Sequence, residues 1–257
     1  GMDERMFAPG ESWPVVAAEG ELGLGNFGPP GPAKPDPDTW IAGMGSLPLL
    51  AQPGERWLYN SGASVLGVLL ARAAGSDLGD VFQTRIFEPL GMVDTAFWTP
   101  ETDRLATEYR AVDGRLEVYD APVGAWSQPP VFPDGAAGLL STVDDLLAFA
   151  RMLLGRGPAV LDAALVAEMT SDHLSASQRA AGETFLGGRG WGYCVAVSTN
   201  GPRAGAYGWD GGLGTSWLVD PVRDLVVIVL TQRMWDNPSL PQVHRDLQRA
   251  AYEALRR

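Results

Sequence analysis

One lysine occurs in the whole sequence, Lys34, and the residue three positions before it is Gly31. A serine one helical turn before a lysine is a common nucleophile, because the amine helps to remove the proton of the hydroxyl group. With glycine at the serine position and no second lysine, the sequence contains no Ser-x-x-Lys pair. We therefore expect no nucleophile of this kind in these 257 residues.

The sequence offers few other groups that could attack a carbonyl or hold a metal. Cys194 is the only cysteine and lies in the apolar run 190–198, so we interpret it as a small buried residue of a strand. Asp172 and His173 could imitate part of a Ser-His-Asp triad, but no serine lies in a Gly-x-Ser-x-Gly turn. The only other histidine is the distant His244, which argues against a zinc site, and we expect no metal.

Two further patterns, a pair of acids and a glycine-rich stretch, have structural explanations. Asp144 and Asp145 follow the hydroxyl groups of Ser141 and Thr142. This order is typical of a helix start, so we do not interpret the acids as an acid–base pair. The glycines within 23–28 fit a dinucleotide-binding fingerprint only loosely, and no strand-like run precedes them. We interpret that segment as a loop and expect no cofactor.

Composition excludes several classes of function. Hydrophobic residues make up 46% of the chain, which is enough for a packed core. The net charge of −12 argues against binding to nucleic acid, because neutralising phosphates requires clustered Lys and Arg. No apolar run reaches the roughly 20 residues of a membrane helix, and no charged start followed by an apolar stretch marks a secretory signal. We therefore expect a cytoplasmic protein without a membrane span.

Helical patterns dominate the first part of the chain. A Gly- and Pro-rich loop is predicted over 20–37, followed by a helix with Asp38 or Thr39 as its cap. The next helix ends at Gly75 and is predicted to be buried through its apolar positions. Those positions are Val65, Leu66, Leu69, Leu70, Ala73 and Ala74. Residues 104–120 alternate weakly between apolar and polar, which indicates a peripheral hairpin.

Strand patterns occupy the last part of the chain. Apolar runs at 190–198, 214–220 and 224–232 are separated by turn residues, so we predict an antiparallel meander. Residues 226–230 are apolar on both faces, which places them deep in a covered sheet. A final helix from about Pro241 would lie on the sheet through one apolar stripe. The stripe consists of Val243, Leu247, Ala250, Ala251 and Ala254.

These patterns together predict an α+β fold. Residues 1–185 form a mainly helical region with a long N-terminal loop and the hairpin. Residues 186–257 form the antiparallel strands and the C-terminal helix. We interpret the two parts as one domain.

Four short motifs follow one another between residues 53 and 235. They are Pro53-Gly54-Glu55-Arg56-Trp57-Leu58-Tyr59-Asn60-Ser61-Gly62; Ile86-Phe87-Glu88-Pro89-Leu90-Gly91-Met92 with Thr95 and Phe97; Ala137-Gly138-Leu139-Leu140-Ser141-Thr142; and Tyr207-Gly208-Trp209-Asp210-Gly211-Gly212. In this order they resemble motifs of the serine β-lactamase and penicillin-binding-protein superfamily, in its class C and esterase-like branch. The first resembles the turn with the Tyr-x-Asn motif, and the last resembles the Lys-Thr-Gly or His-x-Gly strand.

The resemblance implies both a chemistry and a fold. In this superfamily a serine attacks an ester or amide carbonyl, a tyrosine relays protons, and a sheet-edge amide stabilises the oxyanion. The implied fold has a helical region and an antiparallel sheet covered by a C-terminal helix. Gly1-Met2 fits the last two positions of the family's His-Thr-Ser-Gly-Leu segment, which follows the nucleophile helix. We therefore expect an incomplete domain that lacks the first strands and the nucleophile helix.

The first motif supplies the candidate catalytic residues. Tyr59 matches the proton-relay tyrosine when the alignment is anchored on Pro53-Gly54, and is one residue out of register when it is anchored on Leu66-Gly67. In the second register Leu58 takes the tyrosine position and Asn60 remains the asparagine. A one-residue deletion between Tyr59 and Leu66 would explain both registers. A tyrosine that anchors a turn through its hydroxyl group is the alternative interpretation.

The last motif supplies the candidate substrate-binding residues, Trp209, Asp210, Gly211 and Gly212. Trp209 takes the place of the family's lysine, so the sequence favours a neutral ester or amide over a β-lactam carboxylate. Gly211 and Gly212 would let a ligand approach the backbone of the strand closely. Trp209 can equally be an aromatic residue of the core.

The sequence supports one leading hypothesis and two alternatives. The leading one is a β-lactamase-related serine hydrolase chain for an ester or amide, such as a β-lactam or a peptidoglycan peptide, that is inactive alone without Ser-x-x-Lys. The alternatives are a non-catalytic ligand-binding or interaction module and one half of a split enzyme. In the family, the first strands pair alongside the final strand, which here is 224–232. We expect residues 1–35, a swapped neighbour or a homodimer partner to cover that edge.

Overall fold

The computed structural model describes Met6 and residues 13–25 and 34–255. Gly31 and the start at Gly1-Met2 lie outside the described residues, as do most of residues 1–35 that we expected at the sheet edge. Lys34 is described, and its Nζ lies 2.6 Å from Oδ2 of Asp134 and 4.2 Å from the ring centre of Phe132. The only lysine therefore has a structural role, joining the start of the helical region to residues 132–134.

Helices are the main regular structure of the described residues before 187, and side chains cap several of them. Asp36 accepts hydrogen bonds from the backbone N–H groups of Asp38 and Thr39, so the cap of the second helix is Asp36, not the predicted Asp38 or Thr39. The helices are α1 (Pro14–Glu21), α2 (Pro37–Ser46), α3 (Ser61–Ala74), α4 (Leu78–Phe82), a π-helical turn (Gln83–Phe87), α5 (Glu88–Leu90), α6 (Val143–Leu153), α7 (Ala163–Met169), α8 (Ala176–Ala181) and α9 (Glu183–Leu186). Helix α1 ends at Glu21, and the loop predicted over 20–37 therefore begins within its last turn.

Helix α3 ends at Gly75 as predicted, but its buried face is not the predicted one. Val65 is 40% exposed and Leu69 is 59% exposed, whereas the buried residues are Ser61, Ser64, Gly67 and Val68. The reason is a close backbone contact, because a Cβ atom at Gly67 would lie 2.9 Å from the backbone nitrogen of Gly135. Small residues therefore form the contact face of α3, and the apolar stripe faces outward.

Asp145 confirms the interpretation of Ser141 and Thr142 as a helix start. The hydroxyl group of Thr142 accepts a hydrogen bond from the backbone N–H of Asp145. The carboxylate of Asp145 is buried and accepts from Asp94 N at 2.8 Å and from Thr95 Oγ1 at 2.7 Å. Asp145 thereby fixes the segment after α5 against α6.

An antiparallel meander forms the second part of the domain, as predicted. Five strands of the described chain pair in sequential order, namely β3 (Gly190–Trp191), β4 (Ala196–Val197), β5 (Tyr207–Gly211), β6 (Thr215–Asp220) and β7 (Leu225–Leu230). A separate hairpin consists of β1 (Glu108–Val112) and β2 (Arg115–Asp120), where a peripheral hairpin was predicted. The α+β fold predicted from the sequence is confirmed.

The run 190–198 is not the continuous strand that we predicted. A turn separates β3 from β4, and Cys194 lies in it with a φ of 61°, a left-handed conformation that strand residues do not adopt. The thiol-bearing residue is exposed. The prediction of a buried Cys194 is therefore wrong, because the apolar run contains a turn.

Strand β7 is an edge strand, which corrects the prediction that it lies deep in a covered sheet. It pairs with β6 from Leu225 opposite Asp220 to Leu230 opposite Thr215, and no strand among residues 13–25 and 34–255 pairs with its other side. Helix α6 contacts β7, as does the C-terminal helix α10 (Gln242–Ala254). Helices on the two faces explain why the strand is apolar on both faces, although no strand in the described part of the chain pairs with its outer edge.

Helix α10 covers the sheet as predicted, but through a polar face. Val243 is 50% exposed and Leu247 is 48% exposed, whereas His244 and Gln248 are buried. Nδ1 of His244 lies 3.0 Å from Oγ of Ser216 on β6, which fixes the helix on the sheet. The predicted apolar stripe is consequently the outer face of α10.

The main core of the domain lies between α6 and the sheet. It joins buried side chains of the α4–α5 region, α6 and strands β4 to β6, including Phe87, Met92, Ala150, Leu153, Val197, Tyr207 and Val219. A smaller cluster around Trp40 packs α2 against α3 and Phe132. Of the helices in the described part of the chain, none combines the length and apolar character needed to cross a bilayer.

Candidate active site

Tyr59 and Trp209 are 150 residues apart in the sequence and are in direct contact. Nε1 of Trp209 donates a hydrogen bond of 2.8 Å to the hydroxyl oxygen of Tyr59. Tyr59 lies in the loop before α3, and Trp209 lies in the middle of β5. The contact therefore joins the helical region to the sheet at the two motifs that the sequence assigned to catalysis and substrate binding.

Five aromatic side chains surround this hydrogen bond, and we call them the aromatic cluster. They are Trp57, Tyr59, Phe185, Trp191 and Trp209. Tyr59 stacks on Phe185 with ring centres 4.7 Å apart, and Trp191 meets Trp209 edge-on at 4.7 Å. Trp57 packs against both Trp191 and Tyr59. All five side chains are only partly buried, so the cluster is an apolar wall that a ligand can reach.

The surroundings of Tyr59 keep its hydroxyl group protonated. Burial raises the pKa of Tyr59, the hydrogen bond from Trp209 lowers it, and the carboxylate of Asp210 raises it, with a net upward shift. At neutral pH the side chain is a phenol that can donate its proton. A phenol in this position can protonate a leaving group, whereas a phenolate base would need a stronger positive field.

Arg189 holds the strand side of the site in place. Its guanidinium group lies 5.1 Å from the ring centre of Trp209, and its Nη1 lies 3.2 Å from Oδ2 of Asp210. Its Nε donates to the backbone oxygen of Leu186 at 2.8 Å, which orients the side chain. Burial raises the pKa of Asp210, and the charge of Arg189 opposes this shift. Asp210 is thus an ion-pair partner, on the face of β5 opposite to Trp209.

The remaining sequence-predicted site residues lie at the ends of the same elements. Gly211 is the last residue of β5, and a Cβ atom there would lie 2.6 Å from Oγ1 of Thr215. Gly212 follows in an exposed turn, where its backbone oxygen accepts from the N–H of Trp235 at 2.8 Å. Asn60 precedes α3 in a left-handed conformation with a φ of 70°. Tyr59 and Trp209 are therefore in direct contact, whereas Asn60 is near them because it follows Tyr59 in the sequence.

Asp172 and His173 do not form a catalytic pair. The carboxylate of Asp172 pairs with Arg179 and accepts from the backbone N–H of Trp191 at 3.0 Å. His173 stacks on Tyr193, and its Nε2 is 2.9 Å from the backbone oxygen of Glu168. In the part of the chain that the structure describes, no group of three His, Cys, Asp or Glu residues could hold a metal ion. Both residues are explained by structural contacts.

Sequence reasoning missed four residues of the site, one of which, Trp57, stands in the first motif without a predicted role. Phe185 and Trp191 complete the aromatic cluster, and Arg189 orients Trp209 and Asp210. Phe185, Arg189 and Trp191 lie within seven residues of one another, at the junction between α9 and β3. The only signal for them in the sequence is this concentration of aromatic and basic side chains next to the first strand of the meander.

The family is established by comparison with known proteins. The sequence profile of the Beta-lactamase family matches residues 21–252, so this chain belongs to the β-lactamase family. The resemblance inferred from the four motifs is confirmed.

Similar proteins include esterases. The Mycobacterium tuberculosis protein Rv1367c is 35% identical over 80% of this chain and 59% of its own length. Esterase EstB of Burkholderia gladioli is 31% identical over 80% of this chain and 57% of its own length. The solved structure of EstCE1, a hydrolase with promiscuous acyltransferase activity, superimposes with a TM-score of 0.80 at 26% identity, covering 97% of this chain and 68% of that one. The chain thus spans less than 60% of the length of these two curated relatives.

Proposed function

We propose that this chain provides the proton-relay and substrate-binding side of a serine-dependent acyl-transfer or hydrolysis site. The hydrogen bond from Trp209 to Tyr59 carries the proposal, because it places a phenol with a raised pKa beside the strand that would bind the substrate. In the reaction the serine of a Ser-x-x-Lys pair, which this sequence lacks, gives its proton to the lysine, the serine oxygen bonds to the carbonyl carbon, and the bond from that carbon to the leaving group breaks. Tyr59 donates its proton to the departing oxygen or nitrogen and later recovers one from water.

The substrate class that fits the site best is a neutral ester or amide with an apolar acyl group. The aromatic cluster provides an apolar wall beside Tyr59, and Trp209 takes the position of the lysine in the family motif. Arg189 lies nearby, but Asp210 neutralises its charge, so it offers little to a substrate carboxylate. EstB is an esterase and EstCE1 is a hydrolase, and their similarity to this chain supports the same class. A β-lactam or a peptidoglycan peptide is the less favoured substrate.

We infer that the chain alone is inactive. The sequence contains no Ser-x-x-Lys pair, and loss of the serine nucleophile slows a serine hydrolase by about a million-fold. Proton transfer through Tyr59 cannot offset a loss of that size, because a nucleophile must first attack the acyl group.

Turnover by the isolated chain tests this proposal. We expect p-nitrophenyl butyrate and nitrocefin to be hydrolysed at the rate of buffer, with wild type and Tyr59→Phe indistinguishable. Turnover at ordinary hydrolase rates that Tyr59→Phe abolishes would mean that the chain contains its own nucleophile.

A ligand-binding module is the second candidate, and the aromatic cluster favours it. Its five partly buried rings can bind an apolar ligand without any chemistry. Saturable quenching of tryptophan fluorescence by a β-lactam or a peptidoglycan-like peptide, without a covalent adduct in the mass spectrum, would support this candidate. Trp209→Phe should weaken such binding, and Trp98→Phe, which changes an exposed tryptophan outside the cluster, should not.

We also infer that a second chain, either a homodimer partner or a complementing half, covers the outer edge of β7. The edge offers backbone N–H and C=O groups along the apolar residues 225–230. An exposed apolar edge of this kind is an aggregation hazard, and pairing with a strand of a second chain would remove it. Sedimentation and amide hydrogen exchange would test this point together. A monomer whose outward β7 amides exchange at the rate of an unfolded chain would contradict it.

A further inference from the structure

A cleft of about 490 Å³ lies between the last turns of α10, the turn that joins β6 to β7, and residues 202–203 before β5. Its charged lining residues are three arginines and one acid, namely Arg203, Arg223, Arg249 and Glu253. None of its lining residues belongs to the aromatic cluster. Three cations thus line one cleft on a chain whose net charge is −12.

Arg203 is the cation of this cleft that lacks an acidic partner. Its Nη1 donates to Oε1 of Gln248 at 2.8 Å, and its guanidinium group lies 4.8 Å from the ring centre of Tyr252. Both partners are neutral, because burial raises the pKa of Tyr252 and keeps it a phenol. No acid in the described part of the chain forms an ion pair with Arg203, although the side chain is partly buried.

Other arginines with similar burial show what Arg203 lacks. Three further partly buried arginines each pair with an aspartate, namely Arg179, Arg189 and Arg233. A guanidinium group that is partly removed from water is stabilised by an anion, and a neutral amide replaces only part of that stabilisation. Arg203 is therefore a group that would bind an anion from solution.

Buried side chains hold the two guanidinium groups of Arg203 and Arg223 in fixed positions. The carboxylate of Asp220 is fully buried, and it accepts from Nη1 of Arg223 and from the hydroxyl group of Tyr252, each at 2.8 Å. The guanidinium group of Arg223 lies 5.7 Å from the ring centre of Tyr252, the same ring that contacts Arg203. Gln248, which is also buried, holds Arg203 from α10. Among the described residues, nothing accepts from Nε or Nη2 of either arginine, so both keep donors for a ligand.

We propose that this cleft binds the phosphate group of a small phosphate monoester through Arg203 and Arg223. A phosphate has three acceptor oxygens and carries up to two negative charges, so it can bind two guanidinium groups at once. A carboxylate matches the fork of only one arginine. The cleft is large enough to hold an organic group as well, beside Pro202 and Leu255. The inference does not depend on the proposed acyl transfer, because none of these residues takes part in it.

Two anions that share one ring test the inference, phenyl phosphate and benzoate. Isothermal titration calorimetry at neutral pH and constant ionic strength should show the full chain binding phenyl phosphate at least about tenfold more tightly. Arg203→Gln should weaken phenyl phosphate about tenfold, because one charge-assisted contact is lost. Arg245→Gln should leave the affinity unchanged, since it removes the same charge from an exposed position of α10 outside the cleft.

A second variant keeps the inference testable if Arg203→Gln fails to fold. Arg249 is exposed and already pairs with Asp246, so Arg249→Gln should fold and should weaken phenyl phosphate by at least about threefold. Equal binding of the two anions, binding of neither, or full affinity in a folded Arg203→Gln overturns the inference. Vesicles that contain phosphatidic acid test the other source of a phosphate monoester. Binding to such vesicles without binding of phenyl phosphate would indicate a lipid headgroup site and would also overturn the inference.

Discussion

Two neighbours act in opposite directions on the proton of Tyr59, after burial has raised its pKa. The indole N–H of Trp209 stabilises the phenolate through a 2.8 Å hydrogen bond, and the carboxylate of Asp210 destabilises it. Arg189 pairs with Asp210 and stacks on Trp209. It therefore supports the stabilisation of the phenolate by Trp209 and weakens its destabilisation by Asp210. Burial therefore sets the upward direction of the pKa of Tyr59, and Trp209 and Asp210, both in contact with Arg189, adjust it.

Removing the indole N–H should make Tyr59 a weaker acid. In Trp209→Phe the ring volume is largely kept and the hydrogen bond is lost, so we expect the pKa of Tyr59 to rise above its wild-type value. Absorbance titration at the phenolate band measures this shift, with Tyr59→Phe identifying which tyrosine contributes. Trp98→Phe serves as the control and should leave the titration unchanged. A lower pKa of Tyr59 in Trp209→Phe would show that Trp209 is not its donor.

Glu108 should make the stability of the chain depend on pH. Its pKa of about 7 in the folded state is above the ordinary value of 4.5, so the folded state holds this proton more tightly than the unfolded state does. The stabilisation is complete below about pH 4.5 and is lost as the pH rises through 7. Because Glu108 is only half buried, we expect wild type to lose about 1 kcal/mol relative to Glu108→Gln between pH 5 and 8. Urea unfolding at both pH values measures the difference, and an equal change in Glu117→Gln would contradict the assignment.

At the scale of elements, the contact of α3 depends on two glycines. A Cβ atom at Gly135 would lie 2.4 Å from the backbone oxygen of Ala63, and one at Gly67 would lie 2.9 Å from Gly135 N. The obstacles are backbone atoms, which cannot move without shifting α3 or the segment that carries Asp134 and its partner Lys34. The lack of a side chain at Gly67 and at Gly135 therefore sets the position of α3, the helix that follows Tyr59.

Alanine at the two glycine positions of α3 should have opposite consequences. Gly67→Ala should cost about 2 kcal/mol, because the added methyl group overpacks a backbone contact. Gly62→Ala meets no atom within 4 Å and should change stability by less than about 1 kcal/mol, with a gain in helix propensity. Denaturant unfolding of the two variants measures the contrast. Similar free energies of unfolding for both variants would show that the α3 contact is looser than described.

The sequence predicts the ends of these elements better than their orientation. Thr142 and Gly75 mark real helix ends because a cap and a left-handed residue act locally. The buried faces of α3 and α10 could not be predicted, since a glycine contact and the bond between His244 and Ser216 outweigh the apolar stripes. Tyr59 and Trp209 were found through their motifs, but local patterns contain no signal for a contact across 150 residues.

As a whole molecule, the chain combines an aromatic site with apolar surfaces that no described segment covers. The outer edge of β7 and the outer stripe of α3 are apolar, and both lie on the part of the chain that the structure describes. Substrate identity, cytoplasmic location and the complementing chain stay predictions at this scale, and the family membership does not depend on them.

Covalent labelling of the isolated chain tests the central claim most directly. The claim is that Tyr59 assists the transfer of an acyl group and that this chain has no nucleophile to capture that group. The purified chain is incubated with a fluorophosphonate, and its intact mass is measured before and after. We expect the mass to stay unchanged over hours at neutral pH, for wild type and Tyr59→Phe alike. A stoichiometric adduct on one serine, threonine or tyrosine hydroxyl group, formed only by the folded chain, would contradict the account.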